Sequence, residues 1–183
     1  INAGTGGTVT MNAGTSISDT TPGGNTKVAG LNLVATATTG ITGPVETAVT
    51  RLEASGGTGG VFVANTGNLT IGNIGATVGV SATGGDIVVT TTGSLTVAEN
   101  VTATGAGTDV TLTATDAAAV GQNLVVNGGV TVSSAAATVT LNAGDDATIT
   151  GNVSSGTTTT INVDFGDAES NGVGEGAPGS GGA

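Results

Sequence analysis

Two groups of carboxylates are the first residues in this chain whose type and spacing could support chemistry: Asp145-Asp146, and further on Asp164, Asp167 and Glu169. Clustered carboxylates offer hard oxygen ligands, and the ion that such ligands suit is Ca²⁺, held within one chain or between subunits. The spacing fits neither an EF-hand loop nor a glycine-rich calcium nonapeptide. Solvated turn carboxylates account for the groups more simply, and no other cofactor is expected.

Catalysis finds little material. The chain has no His and no Cys, which excludes Ser-His-Asp and Cys-His machinery, imidazole and thiolate metal sites, and disulfides. Lys27 is the only lysine, and nothing around it suggests activation for a Ser-Lys arrangement. Carbohydrate-cleaving enzymes need paired carboxylates in a groove, often with basic and aromatic helpers. Here Phe62 and Phe165 are the only aromatic residues, so a non-enzyme is expected.

Three other patterns carry weaker signals. Thr90-Thr91-Thr92 and Thr157 to Thr160 could build flat threonine ladders of the kind that suits ice, but β propensity on an exposed face also explains them. Asn68-Leu69-Thr70, Asn100-Val101-Thr102 and Asn152-Val153-Ser154 fit the N-glycosylation pattern, which arises by chance in a sequence rich in Asn and Thr. The run Gly172-Val173-Gly174-Glu175-Gly176 lacks the strand-to-helix setting of a phosphate loop, and no ligand is assigned to it.

Lys27 and Arg51 face thirteen acidic residues, for a net charge of -11 and a pI near 4.1. Phosphate backbones and anionic lipid surfaces are bound by clusters of Lys and Arg, so neither nucleic acid nor an anionic membrane is an expected partner. No apolar run approaches the roughly 18 residues of a membrane span. No basic-then-apolar signal segment opens the chain. It begins at Ile1 without a Met, which reads as a processed product or a piece of something longer.

The elements that would position any site must be built from small pieces. The 183 residues include 35 glycines but only 1 % aromatics, while Val, Ala, Leu and Ile keep the hydrophobic share at 37 %. β-branched residues favour pleated backbone, and the Leu, Glu, Lys and Gln runs of helices are absent, which predicts an all-β chain.

A five-residue motif, apolar-x-apolar-x-Ala, recurs at Val9 to Ala13, Leu31 to Ala35, Val78 to Ala82, Val110 to Ala114 and Val139 to Ala143, with a partial copy at Arg51 to Ala54. Period-two alternation marks strands with one buried face. With Leu52, Val80, Leu112 and Leu141 taken as anchors, the spacings are 28, 32 and 29; a second apolar cluster follows each anchor strand and a third follows the first three. Three short strands per repeat of about 30 residues match one triangular coil of a parallel β-helix. Gly and Asn punctuate the expected corners. The expected organisation is a β-solenoid over residues 1–170, irregular at first and more regular from about 52, followed by a Gly-rich tail or linker at 171–183.

The stretch from Ile41 through Pro44, Arg51 and Ala54, continued by Gly59-Gly60-Val61-Phe62-Val63 and Asn68-Leu69-Thr70-Ile71-Gly72, resembles a repeat common in very large bacterial exoproteins. These are the filamentous-haemagglutinin-like adhesins secreted by the two-partner route. Val139 to Asn152 is similar to their shorter repeats, and the class-level likeness spans roughly residues 31–163. The resemblance implies a right-handed β-helical shaft, export from a Gram-negative bacterium, and a role in adhesion, biofilm or cell-surface fibres. Exposed coil ends are unpaired strand edges, and no strongly charged or Pro-rich cap stands at Ile1, so self-association into fibres or continuation of a longer chain is expected, with a host or cell-surface glycan as a further candidate partner. The rival readings are an ice-binding or glycan-binding solenoid and, as a fold, an antiparallel β-sandwich.

Overall fold

The computed structural model describes residues 1–21, 23, 25–75, 78–119 and 121–166. Among these residues the regular elements are seventeen strands and no helix. In chain order they are β1 (Thr8–Ala13), β2 (Ser16–Ser18), β3 (Val28–Ala37), β4 (Gly40–Gly56), β5 (Gly60–Asn65) and β6 (Leu69–Ile71). Next come β7 (Val80–Ala82), β8 (Ile87–Thr91), β9 (Leu95–Val97), β10 (Val101–Ala103), β11 (Val110–Ala114) and β12 (Leu124–Val126). The last are β13 (Thr131–Ser134), β14 (Val139–Ala143), β15 (Ala147–Ile149), β16 (Asn152–Ser155) and β17 (Thr159–Asn162). Each strand-to-strand pairing is parallel, and each joins residues one coil apart, so the chain winds into a right-handed β-solenoid of about seven turns.

The strands are short because each serves one narrow face. In β9 Leu95 and Val97 are fully buried and Thr96 between them points out. β7, β10 and β12 repeat this in-out-in triplet. Val and Ile have few rotamers to lose on the pleat, and small side chains suffice to fill so thin an interior. Coil by coil the buried residues form axial columns. Leu33, Leu52, Ile71, Val97 and Val126 run up the first face. Ala54, Val80, Val101 and Val132 run up the second, and Val63, Val89, Leu112 and Leu141 up the third. A fully buried Leu or Ile contributes about 1.5–3 kcal/mol, and no coil could bury its own face without the next.

The parallel fold and three strands per coil agree with the sequence reading, but the expected register does not. Leu52 lies on the first face, Val80 on the second, and Leu112 and Leu141 on the third, so these four anchors share no single column. The coil is also shorter than 30 residues and less even. On the first face it measures 24 residues from Val9 to Leu33, 19 to Leu52, 19 to Ile71, 26 to Val97, 29 to Val126 and 23 to Ile149. The variation sits in the corners. β4 turns from the first face to the second without a break, whereas the next coil spends Gly72 to Gly79 at the same corner. The Gly-rich tail expected at 171–183 lies outside the described residues.

Candidate functional surface

Among the described residues, most side-chain hydrogen bonds reach a neighbouring coil. At the corner leading into the first face, Asn68 Oδ1 accepts the Ser94 N–H at 2.9 Å, Ser94 Oγ accepts the Asn123 N–H at 3.3 Å, and Asn123 Oδ1 accepts the Asp146 N–H at 3.1 Å. At the corner into the third face, Asp86 Oδ1 accepts from Asp109 N and Asp109 Oδ1 from Thr138 N, both at 2.9 Å. At the corner into the second, Asn100 Oδ1 accepts from Thr131 N at 2.8 Å. Short side chains with an oxygen suit these places because strand pairing stops at a corner and leaves amide hydrogens to be met.

The corner between β6 and β7 uses longer acids. Glu53 has no exposed surface, and its Oε1 accepts the amide hydrogens of Ile74 and Gly75 at 2.8 and 2.7 Å. From the coil on the other side, Glu99 accepts from Asn73 N at 3.0 Å and Gly79 N at 2.7 Å. The Gly72 to Gly79 corner is thus held between carboxylates of two coils. Charge-assisted bonds of this kind are about twice as strong as neutral ones.

Buried hydroxyls and amides continue the pattern inside. Asn65 Oδ1 accepts from Thr47 Oγ1 at 2.8 Å and from Val49 N at 2.9 Å, and its Nδ2 donates to the Thr66 and Gly67 carbonyls and to Thr91 Oγ1. Thr91 Oγ1 in turn donates to the Gly67 carbonyl. The threonine run Thr90-Thr91-Thr92 is therefore no flat ladder: Thr91 is buried and Thr92 is exposed, accepting from Gly67 N at 2.9 Å.

The calcium candidates divide. Asp145 turns its Oδ2 to the amide hydrogens of Gly121 and Gln122 at 2.5 and 2.6 Å, closing the long corner between β11 and β12. Asp146 is exposed, and so is Asp164, whose N–H donates to the Asp145 carbonyl at 3.2 Å. Asp167 and Glu169 lie outside the described residues. Among the described residues no group of three or more His, Cys, Asp or Glu side chains is placed to hold a metal ion.

Two concavities are shallow and unlike each other. One, of about 370 Å³, is bounded by Gly129 to Thr131 and Thr150 to Asn152 at a corner and includes no carboxylate. The other, of about 280 Å³, lies where the first coil opens, between Met11, Ile17, Val28 and Val45, with Asp19 and Lys27 at its edge. There Lys27 Nζ stands 3.9 Å from Asp19 Oδ2. The Glu46 carboxyl, hydrogen-bonded to Asp19, does most to hold the Asp19 carboxyl below its ordinary 3.8, with the Thr21 amide next.

One surface feature escaped the sequence reading. Asn12, Thr36, Ser55, Ser81, Thr102, Ser133 and Ser154 occupy the same outward position on the second face of successive coils. Ser81 Oγ donates to Ser55 Oγ at 3.3 Å along this row. The available signal was the polar residue in the middle of each apolar-x-apolar triplet, readable only once the triplets were assigned to faces.

Compared with models of protein families, with curated proteins and with solved structures, the chain matches none. No helix among the described residues is long and apolar enough to cross a membrane.

Proposed function

We propose that this chain is a non-catalytic shaft segment or subunit of an extracellular, adhesin-like bacterial surface fibre, serving adhesion, biofilm or filament formation. The observation that carries the reading is the use of the polar groups: the buried and corner acids, amides and hydroxyls are spent on fastening one coil to the next. Such a molecule is a stiff rod whose length scales with coil number. The resemblance of Ile41 to Gly72 to the repeats of two-partner exoproteins adds the extracellular setting.

The last coil supports self-association or continuation. Ile149 and Val153 extend the interior columns but are only half-buried, and Ile161, Val163 and Phe165 are exposed. Among the described residues no strand pairs with the outer edge of β15 to β17. A further coil of the same chain or a second copy would cover these groups.

The test is electron microscopy of the purified chain together with fractionation of the bacterium that makes it. Rods growing by about 4.8 Å per coil, found at the cell surface, are expected. Compact particles confined to the cytoplasm would overturn the reading.

A second reading is favoured by the hydroxyl row on the second face, which could meet ice or a glycan. Each three-residue strand supplies only one outward side chain there, so the row is one residue wide rather than a two-dimensional template. Thermal hysteresis or binding to a glycan array would support it.

A further inference from the structure

We infer that Asn127 is a site of slow self-modification, at which the side-chain amide is displaced by the following backbone nitrogen and replaced by an aspartyl or isoaspartyl carboxylate. Asn127-Gly128 is the only Asn-Gly pair among the described residues. It directly follows β12, and Asn127, Gly128 and Gly129 are all exposed where the chain turns toward β13. The Val130 N–H closes the turn on the Asn127 carbonyl at 3.4 Å, with Gly129 at a φ of 84°.

Other asparagines at the coil corners are held on both sides of the ring that such a reaction must close. Asn68 Oδ1 accepts from Ser94 N at 2.9 Å and Asn123 Oδ1 from Asp146 N at 3.1 Å. The backbone nitrogens that follow them, of Leu69 and Leu124, donate to the Ser94 and Asp146 carbonyls at 2.9 Å each. Asn127 is different: neither its carboxamide nor the Gly128 N–H makes a hydrogen bond to a described residue. Its own N–H donates to the Val97 carbonyl at 3.1 Å, so the chain is anchored before the reacting carbon and loose after it. Nothing crowds the nucleophile, since even a Cβ added at Gly128 would meet no atom nearer than Thr150 Oγ1 at 3.8 Å.

Water is the only co-reactant. Water or hydroxide takes the Gly128 amide proton, and the nitrogen bonds to Asn127 Cγ. The Cγ–Nδ2 bond then breaks, Nδ2 leaves as ammonia with a proton from solvent, and a five-membered succinimide remains. One water adds to either ring carbonyl and breaks its bond to the ring nitrogen. Opening at Cγ leaves aspartate, and opening at the backbone carbonyl leaves isoaspartate, with the chain running through Cβ and Cγ. In sum, amide and water become carboxylate and ammonium. Gly129 borders the shallow hollow of about 370 Å³, which gives the extra backbone carbon and the new carboxylate room.

The inference does not depend on the fibre reading. The test is incubation of the purified chain at mildly alkaline pH, followed by cleavage at acidic residues and mass spectrometry. Asp116 and Asp145 bound a fragment that holds Asn123, Asn127 and Asn142, so two asparagines serve as internal controls. Conversion of amide to acid is expected at Asn127 alone, faster as pH rises, with one heavy oxygen taken up from labelled water and isoaspartate visible on electron-based fragmentation. Gly128→Ala should slow it by about tenfold, the cost of a Cβ beside the attacking nitrogen, and should melt like the parent because that Cβ has space. An Asn127 that stays amide in the folded chain while it converts in denaturant, or an Asn123 that converts as fast as Asn127, overturns the inference.

Discussion

Glu53 Oε1 accepts the Gly75 amide hydrogen at 2.7 Å from a position with no exposed surface. An acid so deep in a thin apolar shaft is tolerable because it replaces the strand pairing that the Gly72 to Gly79 corner gives up. Glu53→Ala strands at least two amide hydrogens and is expected to cost about 2–4 kcal/mol, and Glu53→Gln, which keeps an acceptor oxygen, about half as much. Hydrogen exchange at Ile74 and Gly75 should accelerate in both, by more in the alanine variant. Unchanged exchange at those two amides would remove the clamp from the account.

The glycine at position 60 is required by contact as well as by conformation. Its φ is 79°, and an added Cβ would stand 2.2 Å from the Asp86 carbonyl oxygen of the next coil. Gly107, with φ of 71° and no atom within 4 Å, provides the control. Gly107→Ala should cost about 1–2 kcal/mol, the left-handed penalty alone. Gly60→Ala should cost at least twice that, because β5 and the corner before β8 cannot keep their spacing. Equal losses in denaturant titrations would show that axial contact is not the constraint.

Asp145 decides between calcium and covalent-chain partners at its corner. Its Oδ2 is already engaged by the amide hydrogens of Gly121 and Gln122. Asp145→Ala is expected to lower the melting temperature by several degrees equally in calcium and in chelator. A calcium-dependent rise in the parent that disappears in the variant would restore a metal to this corner.

The acid limit of the first coils follows from Asp19. Its folded-state pKa lies below the ordinary 3.8, through the Glu46 carboxyl first, then the Thr21 amide and the Lys27 ammonium. A depressed carboxyl contributes stability that is fully present above the unfolded value and is lost as pH falls through the lower folded value. Between about pH 5 and pH 2 the parent should lose more stability than Asp19→Asn. Parallel pH profiles for the two proteins would contradict this.

How much of this was legible in the residues can be seen at Leu95-Thr96-Val97 and Val101-Thr102-Ala103. Alternation with period two, β-branched side chains and Gly or Asn between the triplets are local signals, and from them the all-β class, the three strands per coil and the narrow core follow. The acids gave less. Glu53 and Glu99 differ in sequence from solvated carboxylates in no way, since what they bind is backbone at the same corner one coil away.

The register was decided by tertiary structure alone. All three faces draw on the same Val, Leu, Ile and Ala, so neither Leu52 nor Leu112 carries a mark of the face it occupies. Only the axial hydrogen bonds, pairing Leu52 with Ile71 and Leu112 with Leu141, place them on different sides. Corners of unequal length shift the phase between coils, and a shift of phase at constant composition leaves no trace in the one-dimensional pattern.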